Sequence, residues 1–190
     1  SRGLGDVYKR QILELHSESI YARDHNVIKD DQRSKITRIH LDQQTYVIKE
    51  TSCRNVARGF TDNLRGSAAR RAWRAAYGLE ARNIRAPEAF AFVEERVVGI
   101  IRRSILILGE LDEIISPLDL SRVDPQSCLK LVTESIIEMH RKGVDHGDLK
   151  VTNYVFSGEL DKPTQAIPVD LEQVKFHRKV AYSRRVEALA

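Results

Sequence analysis

The chain has 190 residues, 42% hydrophobic and 31% charged, with 10 Gly and 5 Pro: a globular profile with room for one ordinary domain or two small lobes, which excludes a disordered or fibrous chain. Lys and Arg exceed Asp and Glu by 31 to 27, a net charge of +4 that suits anionic substrates or a membrane surface and calls for no nucleic acid. Two distant cysteines, Cys53 and Cys128, exclude a disulfide framework or zinc cluster and point to the cytoplasm, and no apolar run approaches the ~20 residues that span a bilayer.

Residues 1–11 read as an artefactual leader, because Asp6-Val7-Tyr8-Lys9-Arg10-Gln11 looks like a translated sequencing adapter. From Ile12 to Tyr21, and again from Ser34 to Leu41, apolar and polar residues alternate as in strands. Asp42-Gln43-Gln44 makes a turn into a β-rich run, Thr45–Lys49. The period then becomes helical from Asp62 to about Arg82, with Leu64, Ala68, Ala72, Trp73 and Ala76 on one face and Arg70, Arg71 and Arg74 on its flank. Pro87 ends that helix, and strand character returns over Ala89–Glu94 and Val97–Leu108, the latter interrupted by Gly99.

Asp124-Pro125 is a helix start, with Asp as N-cap and Pro at the first helical position. Leu129, Val132, Ile136 and Met139 supply its apolar stripe, and Gly143 closes it. A polar loop, Val144–Asn153, leads to short strands at Tyr154–Phe156 and Ile167–Val169, with a turn over Gly158–Thr164. The reading is an N-lobe over residues 12–110 and a partial C-lobe with the catalytic loop over 111–190.

The chemistry concentrates in His146-Gly147-Asp148-Leu149-Lys150-Val151-Thr152-Asn153, which fits the kinase catalytic-loop pattern H-x-D-L-x-x-x-N. Phosphoryl transfer needs a carboxylate near the attacking hydroxyl, a cation near the moving phosphoryl group and an oxygen ligand for Mg²⁺. Asp148, Lys150 and Asn153 supply these three on one short loop. Asp170 follows the apolar run Ile167-Pro168-Val169, across a hairpin from Asn153, where a kinase fold carries its second magnesium ligand. Lys49 ends the strand Val47-Ile48-Lys49, as the lysine that neutralises the ATP phosphates does. The candidate site is therefore Asp148 and Lys150 for catalysis, Lys49 for ATP, and Asn153 with Asp170 for Mg²⁺. His146 and Trp73 read as packing residues.

From about residue 34 onward the chain resembles the lipopolysaccharide kinase (Kdo/WaaP-type) family of the protein-kinase-like superfamily. The likeness rests on Gly147 in the catalytic loop, on Asp170-Leu171-Glu172, and on Ser67-Ala68-Ala69-Arg70-Arg71-Ala72-Trp73-Arg74 followed by Asn83-Ile84-Arg85-Ala86-Pro87. It implies an α+β fold, with an antiparallel-sheet N-lobe carrying one long helix and a truncated, mainly helical C-lobe. It further implies ATP and Mg²⁺, a sugar hydroxyl of lipopolysaccharide core as acceptor, and peripheral contact with the inner membrane of a bacterium.

Three departures accompany the likeness. No glycine occurs from Asp24 to Lys35, where a glycine-rich loop is expected, and Ala72 stands where many relatives offer a glutamate to the lysine. Glu50 cannot replace that glutamate, because neighbours on a strand face opposite ways. Only 20 residues follow Asp170, too few for a full C-lobe, so the helical base is expected to be cut off and the fragment inactive. Two other readings stand beside the first: a small-molecule kinase of the aminoglycoside or choline type, and a catalytically dead nucleotide-binding module.

Overall fold

The computed structural model describes residues 4–53, 63–112, 114–115, 123–159 and 162–181. The chain forms two compact units, residues 1–74 with 87–110, and residues 75–86 with 111–190.

In the first unit, helix α1 (Asp6–Ala22) precedes three strands, β1 (Val27–Asp30), β2 (Ser34–Leu41) and β3 (Gln44–Ser52). Helix α2 (Ala68–Glu80) begins in this unit, and β4 (Ala89–Val97) and β5 (Ile100–Gly109) complete it. The strands form one antiparallel sheet in the order β1-β2-β3-β5-β4. Ile39, Leu41, Tyr46, Ile48, Ala91, Ile105 and Ile107 pack with Ile12 of α1 as its core.

The stretch Ile12–Tyr21, expected as a strand, is helix instead. Its buried residues, Ile12, His16 and Ser19, recur at helical spacing, and Ile12 is fully enclosed by the sheet. The same helix runs through residues 6–11. Residues 63–65 are helical, and after a break at Gly66 and Ser67 helix α2 starts at Ala68, where Ser67 caps it by accepting the N–H of Arg70 on its hydroxyl. Leu64, in the short stretch before that break, is not part of the α2 stripe and is 87% exposed. Residues 97–108 are not one run either. Val98 and Gly99, both with positive φ, make the tight turn of the β4–β5 hairpin.

Cross-strand register separates the two faces of the sheet. Ile36, Lys49, Leu106 and Phe92 lie directly opposite one another in a row across β2, β3, β5 and β4. Trp73 of α2 packs on Phe92 with ring centroids 5.4 Å apart, so this row lies on the α2 face. Glu50 points the other way and is buried among α1 and the sheet, where the His16 Nε2 donates to it at 3.3 Å and Arg103 pairs with it at 3.3 Å. Burial alone would raise the Glu50 pKa, but the His16 hydrogen bond and the charges of Arg103, His16 and Lys35 outweigh it and hold the carboxyl below its ordinary value.

A depressed pKa contributes stability that is complete above the unfolded-state value, about 4.3, and is lost as the pH falls through the folded-state value. The urea midpoint of the full chain is therefore expected to fall more steeply below about pH 4.3 in the wild type than in Glu50→Gln. Parallel curves for the two proteins would show that Glu50 carries none of the acid sensitivity.

Among the described residues, the second unit contains the end of α2, helix α3 (Pro125–Arg141) and the short strands β6 (Val144–Asp145), β7 (Tyr154–Glu159), β8 (Lys162–Pro168) and β9 (Lys175–Phe176). Asp124 caps α3 by accepting the N–H and hydroxyl of Ser127, and Pro125 opens the helix, as its sequence dictates. Val132, Ile136 and Met139 are buried, but Leu129 is 60% exposed and Cys128 takes the inward position. The segment after α3 is not wholly a loop, since β6 pairs with β9. Phe176 of β9 lies against the α2 backbone at Gly78, where a Cβ would fall 2.2 Å from its ring, and Arg82 stacks on the same ring at 4.5 Å.

Candidate active site

The antiparallel β7–β8 hairpin sets one end of the site. Tyr154 pairs with Pro168, and the Val169 N–H donates to the Asn153 carbonyl at 2.8 Å. Asn153 and the chain entering Asp170 thus lie side by side at the open end of the hairpin, although 17 residues separate them in sequence. Asp170 itself adopts a left-handed backbone (φ 59°) and leads into a 3₁₀ turn, Leu171–Gln173.

The loop between β6 and β7 brings the other groups to this point. Asn153 ends a 3₁₀ turn, Val151–Asn153, and its amide nitrogen donates to the Asp148 carbonyl at 2.9 Å and to the Asp148 carboxylate at 3.1 Å. Lys150 pairs with the same carboxylate at 3.0 Å. The Lys150 hydrogen bond, and to a lesser degree that from Asn153, holds the Asp148 pKa below the ordinary carboxylate range. Asp148 is therefore ionised throughout the neutral range. Its side chain is 35% exposed and that of Lys150 65%, so both groups are open to an incoming molecule.

His146 is fully buried and stacks on Tyr154, and its Nε2 donates to the Val169 carbonyl at 3.0 Å. Burial pushes its pKa down, against the opposing charges of Asp170, Asp148 and Asp145. A neutral imidazole that clamps the residue before Asp170 is a positioning group, in keeping with its reading as a packing residue. Asp145 was not singled out from the sequence. It is buried and accepts the Gly147 N–H at 3.1 Å, which shapes the turn into Asp148. Its only sequence signal was its place directly before the motif. Arg85 likewise gained no role from sequence, yet it reaches Ser157 and Gln165 of the β7–β8 hairpin at 3.3 Å and the Asp112 carbonyl at 3.2 Å.

Gly147 has a steric reason. Its φ is +77°, and a Cβ there would sit 2.5 Å from the Gln173 carbonyl oxygen. A left-handed backbone costs an L-residue about 1–2 kcal/mol before any clash. Gly147→Ala is therefore expected to lower stability by more than about 2 kcal/mol and to displace the turn that follows Asp170. Thermal melts of the two proteins measure the effect, and an unchanged melting temperature would refute this account.

Lys49 belongs to the first unit, half-buried on β3 in the row that shares a face with α2. Ala72 is buried there and offers no carboxylate. The β1–β2 turn, where protein kinases place a glycine-rich loop over the phosphates, is Asp31-Gln32-Arg33. The Asp31 carboxylate itself accepts the N–H groups of Arg33 and Ser34, at 2.8 and 2.7 Å. Together with the Lys29 hydrogen bond, the largest cause, these contacts pull its pKa down to about 2.

The donor set suits Mg²⁺, a hard cation that takes carboxylate and amide oxygens. Asn153 spends its amide nitrogen on Asp148, which leaves its amide oxygen to accept elsewhere, and the backbone bond from Val169 to the Asn153 carbonyl brings the chain entering Asp170 alongside. Among the described residues no group of three or more His, Cys, Asp or Glu side chains forms a metal cluster. No helix among the described residues is long and apolar enough to cross a membrane.

Comparisons with known proteins identify the fold and the family. A structure of WaaP in complex with acyl carrier protein is similar, with a TM-score of 0.57 at 18% identity, covering 98% of this chain and 77% of that one. The crystal structure of WbdD is similar over 78% of this chain and 32% of its own, with a TM-score of 0.53 at 12% identity. At these identities the likeness establishes the fold, a kinase-like one of mixed helices and antiparallel sheet. No curated protein matches by sequence. The family profile of the lipopolysaccharide kinases matches residues 22–188, nearly the whole chain, and the chain belongs to that Kdo/WaaP family.

Proposed function

We propose that this protein transfers the γ-phosphoryl group of ATP to a sugar hydroxyl of lipopolysaccharide core, working in the cytoplasm or peripherally on the inner face of the inner membrane. The observation that carries the reading is the Asp148–Lys150–Asn153 cluster, an ionised carboxylate held by two donors at an open position. Asp148 orients the acceptor hydroxyl and takes its proton as the new P–O bond forms. Because its pKa is depressed, orientation of the hydroxyl is the larger part of its work, with proton transfer late in the step.

Lys150 places its charge beside the same carboxylate, where phosphoryl oxygens gather negative charge during transfer. Asn153 and Asp170 hold Mg²⁺, which when bound neutralises phosphate charge, and Lys49 neutralises the α- and β-phosphates. Lys150 favours a sugar kinase over one of the aminoglycoside or choline type, which commonly lack a lysine at this position.

One observation favours a catalytically dead module instead. Asp31 occupies N–H groups of the β1–β2 turn that would otherwise face phosphate. Phosphate transfer from ATP by the full-length parent, with deep-rough lipopolysaccharide compared against soluble sugars and aminoglycosides, separates the readings. Mg·ATP binding with no transfer to any of these acceptors would refute the enzyme reading.

A further inference from the structure

Aliphatic side chains distant in sequence meet water at one corner of the first unit. Val98, at the tip of the β4–β5 hairpin, is 96% exposed, Val97 beside it 48%, and Leu64 87%. Asn63 ties the two segments together. Its amide nitrogen donates to the Gly99 carbonyl at 3.0 Å, and its amide oxygen accepts from the Ile101 N–H and the Arg96 guanidinium, each at 3.3 Å. Leu64, the next residue, is thereby held at the hairpin tip.

Local structure does not account for Val98. Its φ is +50°, a left-handed backbone that β-branched residues rarely adopt. A two-residue hairpin turn of this kind prefers Asn before Gly, and Asn would also suit the exposure. The position thus carries an apolar, strained residue where a polar, relaxed one was available.

Among the described residues, the charged side chains that follow Leu64 at this corner are basic. Arg70 and Arg71 occupy the first turn of α2, where the helix dipole favours acids, and that turn holds none. The Arg71 guanidinium donates to the Gly66 carbonyl, and the Arg70 stem lies against Gly66, so both fold back towards Leu64 and Arg65. Arg65 is exposed. The nearby acids, Glu94 and Glu95, are paired with Arg96 at 2.6 Å and Arg103 at 2.8 Å.

We propose that this corner docks on an anionic phospholipid membrane, with Val98 and Leu64 entering the boundary of the acyl chains and Arg65, Arg70 and Arg71 meeting lipid phosphates. Exposed aliphatics within a cationic collar match such an interface, where each kind of side chain finds its partner at its own depth. An acidic protein surface would reward the arginines but give Val98 no reason to stand strained in water. The inference deepens the peripheral contact proposed above by naming its surface.

Sedimentation of the full chain with vesicles tests it. The wild type is expected to bind vesicles of equal parts phosphatidylcholine and phosphatidylglycerol, and to bind pure phosphatidylcholine far less. Val98→Asn is expected to weaken binding about tenfold, the worth of one buried valine, while melting no lower than the wild type. Leu64→Ser should weaken it similarly, and Arg65→Glu should weaken it most at low salt. Transfer to a soluble acceptor stays unchanged in all three.

Val98→Asn binding as tightly as the wild type, equal binding to both vesicle types, or capture of an acidic protein with no vesicle binding would each overturn the proposal. Vesicle binding without phosphotransfer would overturn the kinase reading alone, and phosphotransfer without vesicle binding this one alone.

Discussion

Asp148→Asn is expected to cut phosphoryl transfer by about 10²–10⁴-fold while leaving Mg·ATP affinity little changed. Asparagine keeps the size and shape of the side chain and removes only its charge and its capacity to take a proton. The lost Lys150 ion pair, 3.0 Å long, is largely exposed, and such pairs contribute little to stability, so the fold should persist. The remaining donors, Lys150 and Asn153, would still face the site. Measured on the full-length parent, kcat should fall and the nucleotide Kd stay within a few-fold. A dead module would show the same Kd and no turnover to lose, and unchanged kcat would remove Asp148 from the mechanism.

Lys49→Met is expected to cost at least about 10²–10³-fold in turnover, the usual loss when one preorganised charge donor is removed. Methionine retains an unbranched apolar stem of similar length, so packing beside Leu106 and Ile36 in the cross-strand row should survive. A melting temperature close to that of the wild type would separate chemistry from folding. In the proposed reaction the ATP phosphates are the negative groups that Lys49 meets, since Ala72 of α2 is buried and carries no carboxylate. Turnover at the wild-type rate would make Lys49 an ordinary half-buried charge.

The clustering of Asp148, Lys150 and Asn153 was legible because their contacts are local. Asp148, Lys150 and Asn153 lie within six residues, and the hydrogen bonds that join them close inside that span. The start of α3 was legible for the same reason, since Asp124, Pro125 and Ser127 form its cap among themselves. The pairing of β2 with β3 followed from alternation and an intervening turn, and it put Lys49 and Glu50 on opposite faces, as strand geometry requires. In each case the free energy that selects the conformation comes from neighbours in the chain.

Tertiary structure decided the rest. The segment Ile12–Tyr21 carries a pattern that serves strand or helix, and the sheet resolved it by burying Ile12, His16 and Ser19 along one helical face. Leu64 and Leu129 look like core residues by period, yet Ser67 begins its helix after the first and Cys128 turns inward in place of the second. Gly147 could be recognised in the sequence as a mark of the family likeness, but its cause lies 26 residues away, in the Gln173 carbonyl that leaves no room for a Cβ. Capping, turn chemistry and motif spacing act over a few residues and are written in the chain. Which face is buried, and what approaches a given backbone atom, depends on segments that meet only when the protein folds.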